Sequence, residues 1–264
     1  MDIWVHEDKQ LEELLNETII SREKLHQWPL SYVEKVSLKN GSYYIYKSQN
    51  SASSVEKEFY SKIKAPFLTS PIYSGTYENC DILILPYLDF PTLGEVSDIE
   101  LDQIVMGINS NIQNIPDMPI FFDLSSVEKL AQIIDSVCII FEEKGECQNI
   151  INLKKWIKSN AHACYSSSLI GTVHGDLTSS NILVDNGKIA FILDWQRPMK
   201  APVLLEGALS YRLAGYDAVR KYGDFGILAL ICFFLWYSYA CKKFMPFVYN
   251  VAHKYLLEFI SLVK

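Results

Sequence analysis

Two short apolar runs separated by a tight polar turn form the clearest pattern in the chain. Ile182-Leu183-Val184 and the run from Ile189 to Leu193 have the β-branched, apolar character of strands. Between them, Asp185-Asn186-Gly187-Lys188 predicts a two-residue hairpin turn, because Asn-Gly tolerates positive φ at both central positions. The hairpin would bring Asp194, which follows the second strand, back toward Asn181, which precedes the first.

Further strand patterns lie in the first third of the chain. Residues 32–38 alternate loosely, Asn40-Gly41 gives a second hairpin signal, and residues 43–46 are aromatic and β-branched. Residues 81–85 form a short strand that is apolar from Ile82 to Leu85. One helix is expected between these strands, and its buried face carries three apolar residues: Val55, Phe59 and Ile63.

The other periodic segments predict helices. Residues 8–20 place four apolar side chains on one helical face: Leu11, Leu14, Leu15 and Ile19. Two Ser-x-x-Glu sequences, which begin at Ser97 and Ser125, match the capping box that starts a helix. The second of these helices keeps the 3.6-residue period to Phe141, and another helix is expected from Ile150 to Ala163.

Composition restricts the classes of function. Of the 264 residues, 49% are hydrophobic and 21% are charged, as in an ordinary globular protein. The net charge of −7 argues against a nucleic-acid partner, because there is no basic excess to neutralise phosphates. The six cysteines form no CxxC pair, so they are expected to be buried thiols in a reducing compartment.

Two segments bear on localisation. Residues 1–4 lack the basic segment and the apolar core of a signal peptide. Residues 225–241 form an apolar run of about seventeen residues, just under the length of a membrane helix. A buried core helix is favoured over a membrane span, since the run includes Ser238 and two tyrosines. We therefore expect a cytoplasmic protein without membrane insertion.

Three oxygen-bearing side chains, Asp176, Asn181 and Asp194, are expected to converge at one end of the predicted hairpin. Magnesium prefers hard oxygen ligands and usually takes one or two carboxylates, with nucleotide phosphates and water completing its octahedron. Asn181 and Asp194 fit that requirement. Asp176 then remains free to accept a proton from an incoming hydroxyl group, which is the arrangement of a phosphoryl-transfer site.

This segment resembles the aminoglycoside phosphotransferase and choline kinase family. The resemblance rests on His174-Gly175-Asp176, on Asn181 five residues after that aspartate, and on Ile192-Leu193-Asp194-Trp195. It implies ATP and Mg²⁺ as cofactors, Asp176 as the catalytic base, and Asn181 and Asp194 as the metal ligands. His174 is expected to support the loop by hydrogen bonding, not to act as a base.

The implied fold is the bilobal, protein-kinase-like α+β fold. A small antiparallel sheet with one key helix would form the nucleotide-binding lobe at residues 1–88, and residues 89–264 would form the larger, mainly helical catalytic and substrate-binding lobe. Pro86-Tyr87-Leu88 resembles the hinge between the lobes. There the C=O of Pro86 and the N–H of Leu88 would bind the adenine edge; a simple strand exit is the alternative.

The resemblance also implies residues that hold the phosphates. Lys47, at the end of an aromatic strand, would contact the α- and β-phosphates, and a glutamate on the next helix would pair with it. Glu56 is favoured over Glu58, although Glu56 could instead form a capping box with Ser53. The turn before β-strand residues 32–38 contains no glycine, so Ser31 is the candidate phosphate-loop residue. An ordinary turn serine is the alternative.

These features predict transfer of the ATP γ-phosphoryl group to a hydroxyl of a small molecule of the aminoglycoside, amino alcohol or sugar type. Thr178 disfavours a protein kinase, which usually has a lysine at that position. Glu206 resembles an acidic residue that braces the loop. Gln196 stands where family members often have an acidic residue, and it motivates a second hypothesis: a catalytically weak or inactive nucleotide-binding regulatory protein.

Overall fold

The computed structural model describes residues 3–94 and 97–263. The chain is α+β, as the sequence predicts, and it divides into two compact units. The first unit consists of Met1–Gly94, Asp117–Phe121 and Ser180–Arg197; the second consists of Glu95–Pro116, Phe122–Ser179 and Pro198–Lys264. The first unit therefore includes the hairpin segment, which the sequence-based division groups with residues 89–264.

The helices and strands of the described residues follow one another along the chain. They are α1 (Asp8–Leu15), β1 (Ile19–Trp28), β2 (Ser31–Leu38), β3 (Tyr43–Asn50), α2 (Glu56–Lys62), β4 (Tyr73–Tyr77), β5 (Cys80–Pro86), α3 (Asp98–Ile112), β6 (Phe122–Asp123), α4 (Val127–Glu142), α5 (Cys147–Ser166), β7 (Ile170–Val173), β8 (Ile182–Asp185), β9 (Lys188–Ile192), β10 (Met199–Pro202), α6 (Leu205–Leu213), α7 (Ala218–Tyr222), α8 (Asp224–Lys243) and α9 (Tyr249–Leu262).

The first unit is built on a five-stranded antiparallel sheet in the order β1-β2-β3-β5-β4. β2, β3 and β5 cover the three runs that the sequence predicts as strands. Sequence reasoning missed β1 and β4. Most residues of both strands are at least partly exposed, so neither sequence has the alternation that a strand with one buried face shows.

The two faces of this sheet carry different side chains. Tyr46, Ile82 and Ile84 lie on one face and pack with Leu11 of α1 in a hydrophobic core. Because successive side chains alternate across a strand, Lys47 lies on the opposite face. The sheet therefore separates an apolar core from a face that carries a buried cation.

Helix α1 is shorter than the sequence predicts. It ends before Asn16, whose φ of 50° is left-handed, and Ile19 begins β1 instead of extending the apolar helical face. Asparagine tolerates a left-handed backbone better than most residues and commonly terminates helices in this way.

The predicted hairpin is confirmed. β8 pairs antiparallel with β9, and the two turn residues Asn186 and Gly187 have φ values of 47° and 74°. Both central residues are therefore left-handed, as a type I′ turn requires.

The second unit is mainly helical. Ser97 caps α3 in the predicted capping box, whereas α4 is capped by Ser126, one residue later than predicted, through the N–H of Lys129. Helix α8 packs against α4, α5, α6, α7 and α9. Among the described residues, α8 alone is long and apolar enough to span a membrane, and 61% of its apolar window is buried within the protein. This burial supports the core-helix interpretation.

The second unit also contains a small three-stranded sheet in the order β6-β10-β7, whose strand β7 ends directly before His174. Met199 of β10 lies opposite Val173 of β7 in an antiparallel pair and opposite Phe122 of β6 in a parallel pair. Val173 is buried and ends β7, so the sheet fixes the point at which His174 follows. The sequence does not predict these strands, because each has four residues or fewer.

The left-handed turn of the hairpin can be tested by substitution. A Cβ added at Gly187 would meet no atom within 4 Å, so Gly187→Ala isolates the cost of its left-handed backbone. We expect this variant to lose about 1 kcal/mol in the free energy of unfolding, measured by urea denaturation.

Gly107 of α3 provides the matched control, since an added Cβ there also meets nothing within 4 Å and the backbone is helical. Gly107→Ala should gain about 0.5–1 kcal/mol, because alanine has the higher helix propensity. Effects of the same sign in the two variants would contradict the assigned turn.

Candidate functional site

Lys47 is a buried cation at the centre of the first unit's polar face. It lies on β3 between its cross-strand neighbours Val33 and Leu83, and its side chain is 8% exposed. The Nζ atom lies 2.5 Å from Glu56 Oε2 and 2.6 Å from Asp194 Oδ1. One ammonium group therefore holds carboxylates from α2 and from the segment after β9, and we call this set the ion triplet.

The charges of the ion triplet depend on one another. Burial alone would lower the pKa of Lys47, but the carboxylates of Asp194 and Glu56 outweigh it and raise the pKa above its ordinary value. Burial raises the pKa of Glu56, and the ammonium group of Lys47 opposes that change. Lys47 thus remains protonated at neutral pH and supplies a fixed positive charge.

Glu56 occupies the position that the sequence favours for the lysine partner. It is the first residue of α2, and its N–H donates to Ser54 Oγ at 3.0 Å. The capping box with Ser53 is not formed, because α2 begins at Glu56 with Val55 at its N-cap position. The Ser53 hydroxyl instead donates to the C=O of Asn50. Glu58 faces outward and pairs with Lys62 on the exposed side of the helix.

Helix α2 is anchored to the segment that carries Asp194. The N–H of Val55 donates to the C=O of Gln196 at 2.9 Å. Trp195 is fully buried and stacks on Phe59, with ring centroids 4.4 Å apart and an interplanar angle of 8°. Glu56 and Asp194 therefore reach Lys47 from two segments that are also held to each other.

Two glutamine side chains extend the ion triplet. Gln49 Nε2 donates to Glu56 Oε2 at 3.1 Å, and Gln196 Nε2 donates to Asp194 Oδ1 at 2.7 Å. Each amide binds the same carboxylate oxygen that Lys47 holds. Sequence reasoning missed Gln49, although its position two residues after Lys47 on one strand places both side chains on the same sheet face.

Asn181 and Asp194 lie at the open end of the β8–β9 hairpin. The N–H of Leu193 donates to the C=O of Asn181 at 2.8 Å, which extends the strand pairing by one residue. Asp194 has a φ of 65°, and strained non-glycine backbone of this kind concentrates at functional positions. The hairpin therefore fixes the backbone on which both side chains stand.

The donor chemistry of Asn181 and Asp194 fits magnesium. Mg²⁺ usually takes only one or two ligands from the protein when phosphates and water fill its other coordination positions, and one carboxylate and one amide oxygen match that number. Within residues 3–94 and 97–263, no group of three or more His, Cys, Asp or Glu side chains is arranged to hold a metal.

The second unit holds His174-Gly175-Asp176 in a tight turn in which Gly175 has a φ of 84°. The N–H groups of His174 and Gly175 both donate to the carboxylate of Glu206, the second at 3.2 Å. The N–H of Asp176 donates to His174 Nδ1 at 3.2 Å, and the N–H of Thr178 donates to the C=O of Asp176 at 3.0 Å. These bonds fix the backbone that presents Asp176.

The bracing carboxylate and the histidine are both buried. Burial raises the pKa of Glu206 to about 7, although the N–H groups of His174 and Gly175 act in the opposite direction. His174 is 1% exposed, and its Nδ1 accepts a hydrogen bond, so the neutral ring carries its proton on Nε2. Both residues occupy the loop-supporting positions that the sequence suggests for them.

Ser31 lies on the same sheet face as Lys47. It is buried at the start of β2, directly opposite Gln49, while Val33 lies opposite Lys47. The turn residues Pro29 and Leu30 precede it. On this face of the sheet, the Ser31–Gln49 pair is thus the neighbour of the Val33–Lys47 pair.

The hinge residues continue β5. The N–H of Tyr87 donates to the C=O of Tyr43 at 3.0 Å, which directs the C=O of Pro86 toward the other edge of the strand. Extended backbone would direct the N–H of Leu88 to that same edge. In the described part of the chain, no hydrogen bond engages the Leu88 N–H.

Comparisons with known proteins agree with this fold. A sequence model of the phosphotransferase enzyme family matches residues 139–224, a range that includes the His174 segment, Asn181 and Asp194. No curated protein matches the chain.

Solved structures of phosphotransferases are similar over nearly the whole chain. They include a thermostable mutant of the aminoglycoside phosphotransferase APH(4)-Ia (TM-score 0.68, 16% identity, covering 97% of this chain and 98% of that one). The macrolide 2'-phosphotransferase MphH from Brachybacterium faecium gives a TM-score of 0.61 with 13% identity and covers 94% and 95% of the two chains. The streptomycin–ATP complex of APH(2")-IIa gives a TM-score of 0.59 with 13% identity, and the match covers 97% of each chain. The protein-kinase-like fold and the resemblance to this family are confirmed.

The carboxyl group of Glu206 makes stability depend on pH. Its pKa of about 7 in the folded chain exceeds its ordinary value of 4.5, so the folded state holds this proton more tightly than the unfolded state. Stability is therefore lost as the pH rises from 4.5 to about 7, by roughly 3 kcal/mol in all, and levels off above that range.

Glu206→Gln removes this ionisation. We expect the stability of the variant relative to the wild type to increase between about pH 5 and about pH 8, measured by thermal denaturation at each pH. A stability difference that is independent of pH would contradict the burial of an ionisable Glu206.

Proposed function

We propose that this chain, which has the fold of the aminoglycoside phosphotransferases and a segment that matches the phosphotransferase enzyme family, is an ATP-dependent phosphotransferase. It moves the γ-phosphoryl group of ATP to a hydroxyl of a small molecule. The observation that carries the proposal is the ion triplet: a buried ammonium group, fixed between Glu56 and Asp194, provides a positive charge suited to phosphate oxygens.

The first unit supplies the nucleotide-binding residues in this proposal. The C=O of Pro86 and the N–H of Leu88 bind the adenine edge, and Lys47 binds the α- and β-phosphates while Glu56 holds it in place. Ser31 contributes its hydroxyl group from the start of β2. Its position opposite Gln49 and on the face of Lys47 supports this role.

Asn181 and Asp194 would hold Mg²⁺ together with the phosphates. When bound, the metal neutralises charge on the phosphate oxygens. Asp194 Oδ1 is already engaged by Lys47 and Gln196, so these two donors orient the carboxylate. The left-handed backbone of Asp194 supports a functional assignment of this residue.

Asp176 acts as the base. The substrate hydroxyl oxygen forms a bond to the γ-phosphorus, the bond from that phosphorus to the ADP oxygen breaks, and the hydroxyl proton passes to the Asp176 carboxylate. Glu206 holds the loop through the N–H groups of His174 and Gly175, so that Asp176 has a fixed orientation. Positioning of this kind supplies much of the rate enhancement in phosphoryl transfer.

A small-molecule acceptor is favoured over a protein. Thr178 stands where protein kinases usually have a lysine, and its N–H is used within the loop. APH(4)-Ia binds ADP with hygromycin B, and APH(2")-IIa binds ATP with streptomycin. We carry over only the chemical class of the acceptor: a hydroxylated small molecule of the aminoglycoside, amino alcohol or sugar type. In this proposal the reaction takes place in the cytoplasm.

A second candidate is a nucleotide-binding regulatory protein without turnover. It is motivated by the glycine-free turn before Ser31 and by Gln196, which donates an amide to Asp194 where family members often have an acidic residue. ATP binding without phosphate transfer to any acceptor in a panel of amino alcohols, sugars and aminoglycosides would favour this candidate.

Replacement of the base separates the two candidates. Asp176→Asn keeps the side-chain shape but cannot accept the hydroxyl proton, so we expect kcat to fall roughly a hundred- to ten-thousand-fold. ATP binding should change little, because Asp176 acts on the acceptor. The measurement is ADP release with the best acceptor of the panel.

Asp185→Asn provides the matched control, since Asp185 is an exposed aspartate at the end of β8. It should retain the wild-type rate. Turnover by Asp176→Asn at the wild-type rate would exclude the proposed role of Asp176.

A further inference from the structure

We propose that Gln49 is a positioning residue for nucleotide binding: its side-chain amide fixes the carboxylate of Glu56, which in turn fixes Lys47. This inference rests on the proposed function, because it assigns Lys47 to the phosphates. Gln49 would touch neither nucleotide nor substrate, and its effect would reach the ligand through two other side chains.

The geometry places Gln49 and Lys47 on one carboxylate oxygen. Gln49 Nε2 lies 3.1 Å from Glu56 Oε2, and Lys47 Nζ lies 2.5 Å from the same atom. Both donors come from β3, two residues apart on one face, so the rigid spacing of a strand sets the distance between them. The carboxylate therefore has one orientation that satisfies both donors.

The other end of the Gln49 side chain forms no hydrogen bond in the described part of the chain. Gln49 is 1% exposed, and its Oε1 is buried without a partner there. A buried acceptor without a partner is destabilising, so it offsets part of the stabilisation that the N–H bond to Glu56 provides. Among the described residues, the side-chain amide is therefore engaged by the ion triplet alone.

At the other end of the ion triplet, Gln196 also donates an amide N–H to a carboxylate, but its amide oxygen has a hydrogen-bond partner. Gln196 Nε2 donates to Asp194 Oδ1 at 2.7 Å, and its Oε1 accepts from Arg197 at 3.2 Å. Gln196 is therefore satisfied at both ends and also accepts from the N–H of Val55 through its backbone. Of the two amides, Gln49 is the one whose side chain bonds only to the ion triplet among the described residues.

Gln49→Met tests the inference, because methionine fills a similar volume without donor or acceptor. The probe is the fluorescent analogue trinitrophenyl-ATP, titrated with Mg²⁺ absent so that the readout does not depend on metal or turnover. We expect the Kd to rise roughly three- to thirtyfold, less than the roughly ten- to hundredfold for direct loss of a hydrogen bond to a charged group, because Gln49 acts through two other side chains. The melting temperature should change little, because loss of the bond to the Glu56 carboxylate and removal of the unpartnered buried acceptor act in opposite directions.

A double-mutant cycle with Glu56→Gln distinguishes positioning from packing. If Gln49 acts through the Glu56 carboxylate, then Gln49→Met should change the Kd by less than about twofold in the Glu56→Gln background. Gln148→Met is the matched control, since Gln148 is exposed on α5, and it should leave both affinity and melting temperature unchanged.

The outcomes separate this inference from the proposed function. If the wild type does not bind the analogue, the proposed function fails and the inference fails with it. If the wild type binds, a Gln49→Met variant with unchanged Kd, with a strongly lowered melting temperature, or with an undiminished effect beside Glu56→Gln would overturn the inference alone. Gln49→Glu, which keeps shape and acceptor but loses the donor, should weaken binding at least as much.

Discussion

The contact of one buried ammonium group with two carboxylates determines how the first unit is arranged. A buried cation is costly unless it is paired, so two other segments, α2 and the segment after β9, must approach Lys47 on β3. The stack of Trp195 on Phe59 and the hydrogen bond from Val55 to Gln196 hold the last two segments together. The apolar contacts therefore support a polar centre that the sheet alone would not stabilise.

The second unit fixes its loop by a different device. Glu206 is fully buried, and its carboxylate accepts two backbone N–H groups from the turn that presents Asp176. Burial opposes the ionised form of this group, so the brace lowers stability near neutral pH. Proteins commonly retain such costs where a rigid functional loop is required.

Local chemistry explains which features the sequence could predict. Asn186 and Gly187 specify their turn within four residues, and the spacing of Asp176, Asn181 and Asp194 needs no tertiary information. Exposed strand β1 and the strands β6, β7 and β10 lack a readable period because they are exposed or very short. Gln49 is significant through the carboxylate of Glu56, which only the tertiary structure brings within hydrogen-bond distance.

The central claim is that the charge of Lys47 is held in place for the phosphates of a nucleotide. Equilibrium binding of ATP to the wild type and to Lys47→Met, measured with and without Mg²⁺, tests it most directly. The account predicts that the wild type binds ATP, more tightly with Mg²⁺, and that Lys47→Met loses most of this affinity while remaining folded. A folded Lys47→Met variant that binds ATP as tightly as the wild type would contradict it.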